Sequence, residues 1–260
     1  MGSDHDFFHI GDVFAKELNR NYLYFIVDVN VTGMDERRLS ARTRGAVVPS
    51  YTAFAIHAIG NALREHPDLN CMIRDLPFNK GLSPLDDVTA TVAVERRIDN
   101  ADMVLAVPIH AVDRKSLEDI QGELRSMTES DVTDRQAVRE LLALNRLARY
   151  APLIARIVTM LPRVSKNLWQ KYRWGAFVVT SPGKYGGADV IIPTWPWPLT
   201  AAFGVIKPRP IVEDGQVVAR NTMRLTLAAD RRLANGAPLA RFAERVRELL
   251  EAKDDIGAQP

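Results

Sequence analysis

Two stretches of this 260-residue chain place chemically useful side chains at element boundaries. In Phe177 to Gly187 (FVVTSPGKYGG), Thr180-Ser181-Pro182-Gly183 closes an apolar run. By itself that is a strand end with turn residues. In Arg224 to Arg245 (RLTLAADRRLANGAPLARFAER), Asp230, Arg231 and Arg232 stand between a strand pattern and a helix pattern, and Asn235-Gly236 supplies a backbone break. Adjacent charges between two core elements are costly unless solvated or paired, and a surface ion pair from Arg231 to Asp230 or another carboxylate would meet that need. A guanidinium stays protonated, so Arg231 can hold an anion but cannot accept a proton.

The elements that must position these groups follow from periodicity. Tyr22 to Val31 alternates as a strand, and Thr32 is expected to cap the helix that follows. Pro49-Ser50 opens a helix over about Thr52 to Glu65, which His66-Pro67 ends; His57 within it is expected to be partly exposed. Asp87 to Glu95 and Met103 to Ile109 read as two strands around a turn. Ser116 with Asp119 starts a further helix as a capping box. Leu141 to Leu161 and its continuation predict two helices and a short third, punctuated by Pro152 and Pro162. Thr200 to Ile206 is a strand, and Asp214-Gly215 between Val212 and Val217 is a hairpin signal. Leu239, Phe242, Ala243, Val246, Leu249 and Leu250 fall on one face of a final helix.

Composition excludes several classes. With 34 basic and 32 acidic residues, well mixed, the formal charge of +2 offers no dedicated nucleic-acid surface. No metal-ligand spacing of Cys and His is present, so no metal is expected. The single cysteine, Cys71, forbids an internal disulfide and reads as a buried structural thiol. Asn145, Arg146, Arg149 and Arg156 interrupt the most apolar long segment, so no membrane partner is expected. The N-terminus lacks a signal peptide's apolar core, and a cytoplasmic protein is the expectation. Arg37, Arg38, Arg42 and Arg44 form either a solvated face or a site for an anion such as a CoA phosphate.

Several of these segments together resemble one known family. Asp230 to Gly236 (DRRLANG) is similar to the D-H-R-x-x-[DN]-G segment of the catalytic domain of dihydrolipoamide acyltransferases, the E2 subunits of 2-oxoacid dehydrogenase complexes. Their fold is shared with chloramphenicol acetyltransferase. Phe177 to Gly187 resembles that family's F-[TS]-[IV]-[ST]-[NS]-x-G-x-x-G-G. Ser50 through Asn70 resembles its first long helix and ending, the strands ending at Val107-Pro108 its hairpin, and Thr200 to Ile206 its P-x-x-A-I-L-G-V strand. Arg231 stands where the family has its catalytic histidine.

The resemblance implies an α+β fold of the chloramphenicol acetyltransferase type, two layers with a mixed sheet and flanking helices. It spans 22–252, with 1–21 as an N-terminal arm, 129–172 as a helical insertion and 253–260 as a tail. It implies a stand-alone acyltransferase, a homotrimer with active sites at subunit interfaces, and acetyl-CoA or another acyl-CoA as donor to a small-molecule acceptor. Thr180 would donate to the oxyanion, Asn235 would occupy a position that is Asp or Asn in the family, and His110 is the candidate replacement base, because its strand borders the family's channel. Ser181, Gly183, Trp195 and Trp197 are assigned to the donor; the two tryptophans either line a pocket or seal a subunit interface. An acceptor already anionic at neutral pH, such as a tetronate of specialised metabolism, would account for Arg231. The alternative is a catalytically lapsed, E2-like trimer that binds a ligand or acts as a scaffold.

Overall fold

The computed structural model describes residues 22–98, 101–129, 143–194 and 196–253. Seven strands form the main sheet: β1 (Tyr22–Asn30), β4 (Ala90–Ile98), β5 (Ala101–Ile109), β6 (Phe177–Thr180), β7 (Leu199–Phe203), β8 (Lys207–Glu213) and β9 (Gln216–Asp230). Their order is β1-β9-β7-β6-β4-β5, with β8 beside the first half of β9. β6 runs parallel to β4 and β7, and the other pairs are antiparallel. The sheet is therefore mixed, and the helices flank it in an α+β arrangement. A separate hairpin of β2 (Cys71–Leu76) and β3 (Asn79–Pro84) has no counterpart in the sequence reading.

One face of the sheet is covered by α2 (Tyr51–Glu65) and α6 (Gly236–Glu251), with α1 (Thr32–Thr43) and α3 (Leu117–Glu129) beside them. The core joins Ile56, Ile59 and Leu63 of α2 to Phe177, Leu225 and Leu227 of the sheet and to Phe242 and Val246 of α6. Ser50 caps α2 by accepting from the Ala53 amide at 3.2 Å. The capping box at α3 is present: the Asp119 amide donates to Ser116 Oγ and the Ser116 amide to Asp119 Oδ2. Asp214 (φ 50°) and Gly215 (φ 77°) make the two-residue β8–β9 turn, in the left-handed conformation that a primed hairpin turn requires.

Three local expectations are corrected. Thr32 is not the cap of α1; Val31 holds that position, and Asn30 Oδ1 accepts from the Thr32 amide and hydroxyl instead. His57 is buried at 8% exposure, because α2 is enclosed on nearly every side, and its Nε2 lies 3.2 Å from Asn61 Nδ2. Half of the basic run is used in packing: Arg37 lies over the Phe54 ring, while Arg38 lies over Tyr51 and donates to the Pro49 carbonyl.

Between α3 and β6 the chain is helical over 143–150, in α4 (Pro152–Met160) and in α5 (Lys166–Tyr172), with a 3-10 turn over Leu161–Val164. Trp169 of α5 is buried with Met72, Leu85 and Ala176, tying this segment to the β2–β3 hairpin. Among the described residues no helix is long and apolar enough to cross a membrane. The expected arm over 1–21 and most of the 253–260 tail lie outside the described residues.

Candidate functional site

Thr180 is the last residue of β6, half-buried, where the strand gives way to a 3-10 turn over Pro182–Tyr185. Ser181 is extended (φ −140°, ψ 93°) and precedes that turn. Gly183 is there because the chain passes backbone to backbone: a Cβ on it would stand 2.5 Å from the Gly204 carbonyl oxygen. Gly204 is pressed in turn by the Ala188 carbonyl, 2.2 Å from where its Cβ would lie. Two glycines thus let the segment after Thr180 fold back over the end of β7.

That returning segment is fixed by ions rather than by apolar packing. Arg224 on β9 forms a bidentate pair with Asp28 of β1 at 2.7 Å and also reaches Asp189 at 3.1 Å. Arg209 donates to Asp189, and Thr226 Oγ1 donates to the Val190 carbonyl. The Arg224 guanidinium holds the Asp28 carboxyl below its ordinary range, against the opposing pull of burial.

At the other end of β9 the three adjacent charges divide their work. Asp230 is buried at 3% exposure and accepts from the backbone amide and the Nε and NH2 groups of Arg232. Arg232 NH1 also reaches Asp75 of the β2–β3 hairpin at 2.7 Å. Burial pulls the Arg232 pKa down, but its hydrogen bonds to Asp230 and Asp75 outweigh that and hold it above its ordinary value. The pairing that such a junction demands is therefore made by Arg232, not Arg231. Arg231 is exposed and has no hydrogen-bond or ion-pair partner among the described residues. Asn235 is also exposed; it stands at the N-cap of α6 without spending its side chain there.

A small polar pocket adjoins this turn, lined by Asp75, Arg163, Thr194, Trp197, Asp230 and Arg232, among others. Trp197 is half-buried with its indole N–H donating to the Arg173 carbonyl at 2.8 Å, so its ring is fixed at the pocket wall. Trp195 lies outside the described residues. Asp75 was missed by sequence reasoning because its hairpin carries no clear alternation; Pro77 in the turn and Asn79 just after it were the available signal.

Strand register decides which candidates meet within one chain. Thr180 pairs with Ala202, and Ala202 with Thr226. Arg231 is five residues beyond Thr226, so at ~3.3 Å per residue it lies about 17 Å further along the sheet. His110 follows Ile109, which is level through Ala90, Phe177 and Leu199 with Ala229. It therefore shares an end of the sheet with Arg231, but four strand spacings of ~4.8 Å put it about 19 Å to the side. His110 is exposed, with Nδ1 3.3 Å from Thr89 Oγ1. One chain thus groups Thr180, Ser181 and Gly183 at one end, Arg231, Asn235 and Trp197 at the other, and leaves His110 apart.

Residues 157–257 match the family model of the 2-oxoacid dehydrogenases acyltransferase (catalytic domain). The chain is 25% identical over 209 residues to the dihydrolipoyllysine-residue succinyltransferase component of the Haemophilus influenzae 2-oxoglutarate dehydrogenase complex, covering 77% of this chain and 40% of that protein. It is 24% identical over 242 residues to the lipoamide acyltransferase component of the Bacillus subtilis branched-chain alpha-keto acid dehydrogenase complex, covering 90% and 47%. The chain thus spans less than half the length of these curated relatives. Among solved structures, Azotobacter vinelandii dihydrolipoamide acetyltransferase superposes with a TM-score of 0.68 at 20% identity, covering 96% of this chain and 90% of that one. A chloramphenicol acetyltransferase superposes at 0.50 and 13% identity, covering 94% of each chain. The resemblance to the E2 catalytic domains and the chloramphenicol acetyltransferase-like fold are borne out.

Proposed function

We propose that this chain, a relative of the E2 acyltransferase catalytic domains in sequence and fold, transfers an acyl group from an acyl-CoA to an anionic small-molecule acceptor. The observation that carries the reading is the division of charge at the end of β9: Asp230 and Arg232 neutralise each other, and Arg231 is left exposed with its guanidinium unspent. The Azotobacter vinelandii enzyme has been investigated for the roles of a serine, a histidine and an asparagine in its mechanism, the last two four residues apart. Arg231 and Asn235 keep that spacing here, with a hydroxyl at Thr180.

In this scheme an enolate oxygen of the acceptor attacks the thioester carbonyl carbon. The carbonyl π electrons move onto oxygen, where the Thr180 hydroxyl donates to the developing charge. Collapse of the intermediate breaks the C–S bond, and CoA leaves as a thiolate that takes a proton from solvent. Arg231 binds the acceptor anion and takes no part in proton transfer. An acidic acceptor such as a tetronate enol, ionised before it binds, removes the need for a base. Because register separates Thr180 from Arg231 by about 17 Å within one chain, the two groups of one site come from adjacent copies, in keeping with a homotrimer. Ser181, Gly183 and Trp197 line the donor's approach in this reading.

An acyl-transfer assay with acetyl-CoA against a neutral alcohol, a thiol such as dihydrolipoamide and an acidic enol tests the proposal. Thr180→Ala is expected to lower kcat about 100-fold or more, as loss of an oxyanion donor does, and Thr180→Ser to retain most of it. Arg231→Gln should raise KM for the enol selectively, and Arg231→His should gain activity toward the thiol. Unchanged turnover in Thr180→Ala would sink the oxyanion role. Calorimetry that detects no heat with CoA at millimolar concentration would favour the lapsed, scaffold reading.

A further inference from the structure

The helical segment before β6 turns the wrong side outward. In α4, Ala155 and Thr159, one turn apart, are buried at 0% and 6% exposure, while Leu153, Ile154, Ile157 and Val158 are 75%, 54%, 60% and 40% exposed. The stripe continues through Leu161 at 46%. These positions recur at the i, i+4, i+8 spacing of a single helix face. Small residues face the protein because α4 lies against another helical stretch, where Ala155 meets Ala148 with Leu144 and Leu147 beside them. The large apolar residues are left to water as one row on a single helix face, not as scattered exposure.

The chemistry around this stripe identifies the occupant. From 141 to 160 the sequence holds no acidic residue, and Arg146 and Arg149 are exposed on the helical stretch that meets α4 at Ala148. Tyr150, 75% exposed and two residues before α4, lies under Arg149. An apolar row flanked by an amphipathic tyrosine and exposed cations is the pattern of a helix lying in a membrane interface. A second copy of this chain would have to offer a matching acidic rim, and a neutral apolar ligand would not select for cations.

We infer that the face of α4, with Tyr150, Arg146 and Arg149 at its N-terminal end, docks this protein on the surface of an anionic lipid bilayer. The arginines that bar this segment from crossing a membrane suit it to lying on one: the apolar row enters the acyl boundary and the cations stay with the headgroups. The inference does not depend on the acyl-transfer reading.

Co-sedimentation of the full chain with vesicles tests it, using phosphatidylcholine alone and phosphatidylcholine mixed with phosphatidylglycerol at low and high salt. Binding is expected to the mixed vesicles, weakened by salt. Ile157→Ser with Leu153→Ser should weaken it at least about tenfold, and each of Arg146→Gln and Arg149→Gln about fivefold. All four positions are exposed, and circular dichroism would show that the variants remain folded. Failure to bind mixed vesicles, or binding indifferent to these substitutions, overturns the inference. So does a light-scattering mass that falls in the Ile157→Ser, Leu153→Ser variant without lipid, since the face would then belong to a second copy.

Discussion

Helices α4 and α6 carry apolar stripes of the same periodicity and turn them in opposite directions. In α6, Leu239, Phe242, Ala243, Val246 and Leu250 are buried against the sheet and α2. Its outer face is laced with ion pairs: Arg245 to Glu65 and Glu248, Arg247 to Glu244 and Glu251. In α4 the large side chains face outward and the small ones inward. The cause is the surface beneath. A helix packed across a sheet has a thick layer to fill, whereas close approach to another helix at Ala148 leaves room only for Ala155 and Thr159. Amphipathic spacing says which residues share a face, but not which way that face points.

Substitution can break this contrast, and the largest effect belongs to α6. Phe242→Ala should destabilise the chain by about 3–5 kcal/mol, the cost of a large core truncation, read as a lower urea midpoint at unchanged slope. Its counterpart Ile157→Ser should shift stability by no more than about 0.5 kcal/mol. A loss above about 2 kcal/mol there would mean that the α4 face is packed after all.

The ion pairs behind the sheet should show a smaller, pH-dependent effect. Asp28 has its pKa lowered by Arg224, so its contribution is present above the ordinary carboxylate range and is lost as pH falls through the depressed folded value. Both partners are about a third or more exposed, at 34% and 42%, and the contribution is at most about 1 kcal/mol. Asp28→Asn should remove that increment at neutral pH; the difference from the parent should begin to narrow below about pH 4 and vanish only below the depressed folded value.

The smallest readout changes no stability at all. Cys71, on the core side, is 3% exposed, and burial raises its thiol pKa. It should resist alkylation at pH 8 until the chain unfolds, whereas a thiol introduced by Ile157→Cys should label at once. Equal rates at the two positions would erase the distinction between the faces.

Much of the framework was legible because its signals are local. The Ser116–Asp119 box, the Asp214-Gly215 turn and the apolar row of α6 are each set by residues within a few positions of one another. The β2–β3 hairpin was not legible: CMIRDL and NKGLSP have weak alternation and are stabilised by pairing with each other and by Trp169, nearly a hundred residues further on. His57 was misjudged for a similar reason, since its burial comes from distant elements that close around α2.

At the candidate site the sequence by itself determined the chemical inventory: a hydroxyl at a strand end, a guanidinium that cannot act as a base, and a charge cluster that had to be neutralised. Only the tertiary structure decided that Arg232 rather than Arg231 neutralises Asp230, because Asp75 arrives from another hairpin to complete the cluster. It also set Thr180 and Arg231 at opposite ends of the sheet, because strand order and register are long-range properties. Local spacing fixes which groups a segment carries; long-range pairing fixes which of them meet.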